Sequence, residues 1–115
     1  MIAAFLESGD LQRLYTGLSL LVSAAAEVRP ARGLVSFGAL AAMLDDAPPG
    51  DDTLSRSLHE LRETARELED CRLWACAAAV EATGTERSAI EARLDGVMST
   101  PRFLREVAGA SLVVV

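Results

Sequence analysis

The stretch Cys71-Arg72-Leu73-Trp74-Ala75-Cys76-Ala77-Ala78-Ala79 decides how the rest of the chain is read. It is an apolar run that reaches a thiol and continues into small, helix-compatible residues. It reads as a strand that delivers Cys76 to the edge of a sheet. Plain core is the competing reading, because cysteine is among the most buried residue types and a short apolar run has no diagnostic period. On a strand, side chains alternate between faces, so Cys71 and Cys76, five residues apart, point to opposite sides. That spacing fits neither a Cys-x-x-Cys redox pair nor a disulfide framework, and both are expected as reduced thiols.

Upstream, Ile2-Ala3-Ala4-Phe5-Leu6 is continuous and apolar, as strands covered on both faces are. Ser8-Gly9-Asp10 turns the chain, and Asp10 is a good helix N-cap. Leu11, Leu14, Leu18, Leu21, Val22 and Ala25 then recur at helical spacing, which predicts a long first helix over residues 11–28. Pro30 stops it, and Gly33-Leu34-Val35-Ser36-Phe37 predicts a second strand closed by a turn at Gly38. A brief helix is expected from Ala39 to Leu44. Asp45 to Asp52 is acidic and broken by Pro48-Pro49-Gly50, which marks a surface loop. Asp52 would cap the next helix, whose apolar side is Leu54, Leu58, Leu61, Ala65 and Leu68. Arg56, Glu60, Glu63, Arg66 and Glu67 give it a solvated outer face.

Downstream of Cys76, Ala77 to Glu81 predicts a short helical turn ending at Thr83-Gly84. Thr85 caps a further helix with Ile90 and Leu94 inward. Gly96-Val97-Met98 fits a small fourth strand. Thr100-Pro101 is a strong helix start, with Phe103, Leu104, Val107 and Ala108 as the apolar side and Gly109 at the end. Ser111-Leu112-Val113-Val114-Val115 closes the chain as a strand. Strands alternating with helices predict an α/β fold: a three-layer, flavodoxin-like open sheet, mostly parallel, of four to five strands with helices on both faces. A chain of 115 residues fits one domain, residues 1–115.

Composition narrows the chemistry. All eleven basic residues are arginine, so Schiff-base catalysis and a phosphate-loop lysine are excluded. The net charge of −6 is localised, with nine acidic and three basic residues between Asp45 and Asp70 and eight of each elsewhere. Without a basic stripe, nucleic acid is not an expected partner. Gly33 and Gly38 lie far from any dinucleotide-binding pattern, and two cysteines and one histidine, His59, do not make a zinc site. No cofactor and no metal are therefore expected. The apolar start is too short for a signal segment. Leu18 to Ala26, closed by Glu27 and Arg29, falls short of the roughly 20 residues of a membrane span. A cytoplasmic protein without an integral membrane segment is the expectation.

In open α/β sheets, ligands bind beyond the carboxyl ends of the strands, where helix N-termini present free amide donors that favour a thiolate. Cys76 is placed at such an end and is the candidate nucleophile. Ser8, Gly9, Ser36 and Gly38 are the candidate lining of the cleft beside it, and Thr83 falls near another predicted end. Hydroxyls at these positions also serve turns and caps. Tyr15 and Trp74 read as core or subunit-interface residues.

Taken together, Ser8-Gly9-Asp10-Leu11 before a long helix, Leu34 to Phe37 with Gly38, and Leu73-Trp74-Ala75-Cys76 before a glycine-closed turn resemble the DsrE/DsrF-like sulfurtransferase family. Ser99-Thr100-Pro101-Arg102-Phe103-Leu104 leading through Gly109 into a terminal apolar strand is similar to that family's last helix and strand. The resemblance implies a small sulfur-relay subunit, a homo-oligomer (trimer or hexamer) or a hetero-oligomer. Its strand-end cysteine, here Cys76, would accept sulfane sulfur as a persulfide and pass it to a partner thiol. Donor and acceptor would be proteins or small sulfane-sulfur compounds. The chain departs from the family in following this cysteine with three alanines, which leaves a non-catalytic oligomeric binding or scaffold protein of the same fold as the alternative.

Overall fold

The computed structural model describes residues 1–45 and 53–115. Among the described residues there are five strands: β1 (Ile2–Leu6), β2 (Ala31–Val35), β3 (Cys71–Cys76), β4 (Val97–Met98) and β5 (Ser111–Val114). The helices are α1 (Leu11–Ala26), α2 (Phe37–Leu44), α3 (Thr53–Glu67), α4 (Ala77–Thr83), α5 (Arg87–Arg93) and α6 (Thr100–Glu106). The sheet has the order β4-β3-β2-β1-β5, and every neighbouring pair is parallel. The expected three-layer α/β architecture is therefore what the chain adopts, with the small fourth strand present. The predicted loop from Asp45 to Asp52 and the Asp52 cap lie, beyond Asp45, outside the described residues.

Strand order dictates the layers. From β1 through β4 the chain steps across the sheet in one direction, and right-handed crossovers keep those connections on one face. The return from β4 to β5 runs the other way, so α6 covers the opposite face. Side chains agree with this. Gly33 faces Leu21 of α1 together with Leu6 and Leu73, which a methyl group at that position would meet at 3.8 and 2.7 Å. Phe103 of α6 instead meets Phe5 and Trp74 edge-on, with ring centroids 5.2 and 6.2 Å away.

Local signals set most boundaries. The Asp10 carboxylate accepts hydrogen bonds from the N–H groups of Gln12 and Arg13, capping α1 as expected. Leu14, Leu18, Leu21, Val22 and Ala25 are buried on the sheet side. α1 ends at Ala26, two residues short of the expectation, and β2 begins two residues earlier than expected, at Ala31. Pairing explains that shift: Ile2 registers with Ala31 and Leu6 with Val35, so β2 is spent before Ser36 and Phe37. Phe37 consequently opens α2, half-exposed and with a left-handed φ of 43°. Glu86, one residue after Thr85, occupies the N-cap of α5, while Ile90 and Leu94 are buried as read. In α6 Phe103 is buried and Leu104 faces solvent; just beyond it Val107, the C-cap, is buried and Ala108 is exposed.

The α3 helix does more than present a solvated face. Arg62, 5% exposed, donates to the Met43 carbonyl at 2.6 Å and to the Asp45 carbonyl at 3.3 Å, supplying donors to the carboxyl end of α2. Arg66 donates to the Ala92 carbonyl near the end of α5. Two arginines one helical turn apart thus fasten two helix ends to α3. Arg62→Ala leaves the Met43 and Asp45 carbonyls without this donor and is expected to cost about 2–3 kcal/mol. Arg66→Ala, at an exposed position, is expected to cost less than about 1 kcal/mol, the two being compared by urea unfolding.

Candidate functional site

The carboxyl edge of the sheet gathers the ends of all five strands. Cys76 ends β3 and occupies the N-cap of α4 in an extended conformation, with no capping hydrogen bond from its own side chain. Pairing continues from Ala75–Val97 to Cys76–Met98 on one side. On the other side Val35 registers with Ala75, which places Ser36 beside Cys76 one residue further along. The thiol is 5% exposed, and its Sγ lies 3.9 Å from Thr100 Oγ1 on the first residue of α6. Thr100 is the contact that the sequence reading missed. Thr100-Pro101 had signalled only a helix start, although a residue just after β4 must fall near the end of β3.

The other candidate residues separate into two groups. Ser36 is buried, leaves the N-cap of α2 without a side-chain hydrogen bond, and donates its N–H to the Leu6 carbonyl at 2.9 Å. Ser8 lies a strand further from Cys76, and its Oγ accepts from the Asp10 N–H at 3.0 Å, a turn-forming role. Its N–H, with that of Glu7, donates to the Val115 carbonyl at the end of β5. Thr83 is the last residue of α4, where its hydroxyl donates to the Ala79 carbonyl at 2.7 Å, so it lies on a helix end and not at a strand end.

Gly9 and Gly38 meet backbone to backbone. A β-carbon on Gly38 would lie 2.8 Å from the Gly9 nitrogen, and one on Gly9 would lie 3.2 Å from the Gly38 carbonyl oxygen. Beside this contact the Ala39 N–H donates to the Glu7 carbonyl at 3.0 Å. The two glycines therefore let the loop after β1 close onto the loop after β2, fixing the backbone that holds Ser36.

Cys71 is chemically unlike Cys76. It sits at the opposite end of β3, 2% exposed, and burial pushes its thiol up from 9.0 to about 11. The nearby Asp95 carboxylate adds to the rise, while Arg32 and Arg72 oppose it. Asp95 also receives the Leu73 N–H at 2.8 Å and returns its own N–H to the Leu73 carbonyl at 2.8 Å, which extends the β3–β4 ladder beyond its two paired residues. His59 is partly buried on α3, with Nδ1 3.4 Å from an Arg62 nitrogen. Among the described residues no group of three or more His, Cys, Asp and Glu is placed to hold a metal ion, and no helix is long and apolar enough to cross a membrane. A cavity of about 370 Å³ bordered by Gln12, Arg13, Thr16 and Val115 lies toward the β5 side of this edge, away from Cys76.

An all-parallel five-stranded sheet flanked by helices, with a cysteine at the end of its third strand, is an α/β three-layer protein of flavodoxin-like type. Its fold is similar to that of the YchN protein from E. coli. The TM-score is 0.64 at 16% sequence identity, and the match covers 98% of this chain and 96% of that one. The sequence matches no protein-family model and none of the curated proteins.

Three outcomes follow from this geometry. Below pH 9 the Cys71 thiol stays protonated and shielded, so iodoacetamide applied to the folded protein at pH 8 is expected to leave Cys71 unlabelled in a peptide map. Because the unfolded thiol ionises near 9.0 and the folded one near 11, Cys71 makes folding stability fall as pH rises between these values. A Cys71→Ala variant should show a flatter alkaline limb in its unfolding profile. Gly38→Ala forces backbone apart at Gly9 and is expected to lower stability by about 1–3 kcal/mol, measured by urea unfolding.

Proposed function

We propose that this protein is a sulfur-carrier subunit in which Cys76 takes sulfane sulfur as a persulfide and hands it to a partner thiol. The observation that carries the reading is the placement of Cys76 at the carboxyl end of β3 and the start of α4, beside Ser36 and Thr100. This is the edge where open parallel sheets do their chemistry. The whole-length match to the YchN fold supports the resemblance to DsrE/DsrF-like proteins at the level of fold. In the forward step the Cys76 thiolate attacks the outer sulfur of a donor persulfide. The new bond joins Cys76 Sγ to that sulfur, the donor's S–S bond breaks, and the donor leaves as a thiolate that takes up a proton. An acceptor thiolate then attacks the same outer sulfur and returns Cys76 to its starting form, so no external oxidant or reductant is consumed. The donor and acceptor are proteins or small sulfane-sulfur compounds.

One observation favours the second reading, a non-catalytic oligomeric binding or scaffold subunit. Cys76 is only 5% exposed and is followed by Ala77, Ala78 and Ala79, which bring no polar side chain to it. Both readings include an oligomer. Leu112 and Val114, 47% and 64% exposed, support this, since they share the sheet face of Phe5 and, among the described residues, the seven-residue α6 is the helix that covers that face.

Polysulfide treatment followed by intact-mass measurement separates the readings. The carrier is expected to gain 32 Da, about the mass of one sulfur atom, in the wild type and in Cys71→Ser, but not in Cys76→Ser. An unmodified wild type, or equal gain in both single variants, favours the scaffold and rejects Cys76 as the carrier.

A further inference from the structure

The opposite, amino-terminal edge of the sheet holds a cavity of about 410 Å³, within the size range of small-molecule sites. Its apolar wall comes from Met1 and Ile2 at the start of β1 and from Leu20 and Ala24 of α1. Met1 and Leu20 are 49% and 43% exposed, so this wall stands open to water that an apolar body would displace. Ser23 and Ser111 add hydroxyls, and Glu27 and Arg29 complete the lining.

The polar rim is built by an uncommon turn. Val28, a β-branched residue, is held at a left-handed φ of 62° with its side chain in solvent. Three hydrogen bonds fix it there: the Glu27 and Arg29 N–H groups donate to the Ala24 carbonyl at 3.1 and 3.0 Å, and the Val28 N–H donates to Ala25 at 3.0 Å. The turn sets Glu27 and Arg29 side by side on the cavity, where Arg29 Nη2 donates to Glu27 Oε2 at 2.7 Å. Both side chains are about two-thirds exposed, so the pair is weak and each charge can exchange its partner for a ligand group at little cost.

We propose that this cavity binds an apolar α-amino acid in its zwitterionic form. The side chain lies along Ile2, Leu20 and Ala24, the carboxylate engages Arg29, and the ammonium engages Glu27 near the negative carboxyl end of α1. A simple anion would bring its charge beside Glu27, and a simple cation would bring its charge beside Arg29. A ligand that carries both charges replaces the existing ion pair in full. This site is independent of Cys76.

The test is a titration of the intact chain with L-phenylalanine, followed by backbone amide shifts. Saturable shifts are expected at Leu20, Ser23, Ala24 and Ser111. 3-Phenylpropionate and phenethylamine, each lacking one charge, are expected to bind about tenfold more weakly. Glu27→Gln and Arg29→Gln, at exposed positions, should keep the wild-type circular dichroism and each weaken L-phenylalanine about tenfold. Absence of saturation at tens of millimolar ligand, equal affinity for all three compounds, or unchanged affinity in both variants would overturn the proposal.

Discussion

The right-handed crossover is the constraint from which the rest of this structure follows. Four strands laid down in one direction put every intervening helix on one face, and only the return to β5 places a helix on the other. That single helix, α6, has seven residues and is about 10 Å long, against a sheet about 19 Å wide. Its hold depends on Phe103, which is fully buried against Phe5 and Trp74, a contact of about 1.5–3 kcal/mol in area alone. The thick face carries the amphipathic α1 and α3 packed over Leu6, Gly33 and Leu73. The thin face leaves Leu112 and Val114 open.

The same topology ties the candidate nucleophile to the thin face. Cys76 lies next to Thr100 because β4 is the neighbour of β3 and α6 starts two residues after β4. The first residue of α6 therefore sets its hydroxyl against the thiol. Segments with few buried contacts open at the lowest free energy. Phe103 within α6 and Val107 at its C-cap are the two side chains that this helix buries.

Much of this arrangement could be read from residues. The limits of β1 and β3, the Asp10 cap, the opposed faces of the two cysteines and the start of α6 at Thr100-Pro101 all follow from alternation, capping and proline geometry, which are local. What escaped depends on partners distant in sequence. β2 sits two residues earlier than its apolar run suggests because its register is set by β1, and the displaced Phe37 then opens a helix. Arg62 has the composition of a surface residue and is buried because the end of α2 lies against it. Leu104 looks inward by type but faces solvent, since a helix of seven residues over a flat sheet has room for one large anchor, and Phe103 takes it. For the site, Gly9 and Gly38 were selected as cleft lining, whereas their role is a backbone contact that no single-residue pattern encodes.

The fold, shared with YchN at 16% identity, fixes where the strand ends converge but not which side chains stand there. Here the decisive quantities are local to Cys76: a nearly closed surface, one hydroxyl at 3.9 Å, and three alanines after it. Alanines bring no charge, yet they also leave the first-turn amides of α4 uncrowded by longer side chains. The polar side chain set against Cys76 Sγ is therefore the Thr100 hydroxyl, and the three residues after the cysteine add no cation. Under the proposed carrier role, such a setting would hold sulfur by weak contacts alone and so leave it free to be passed on.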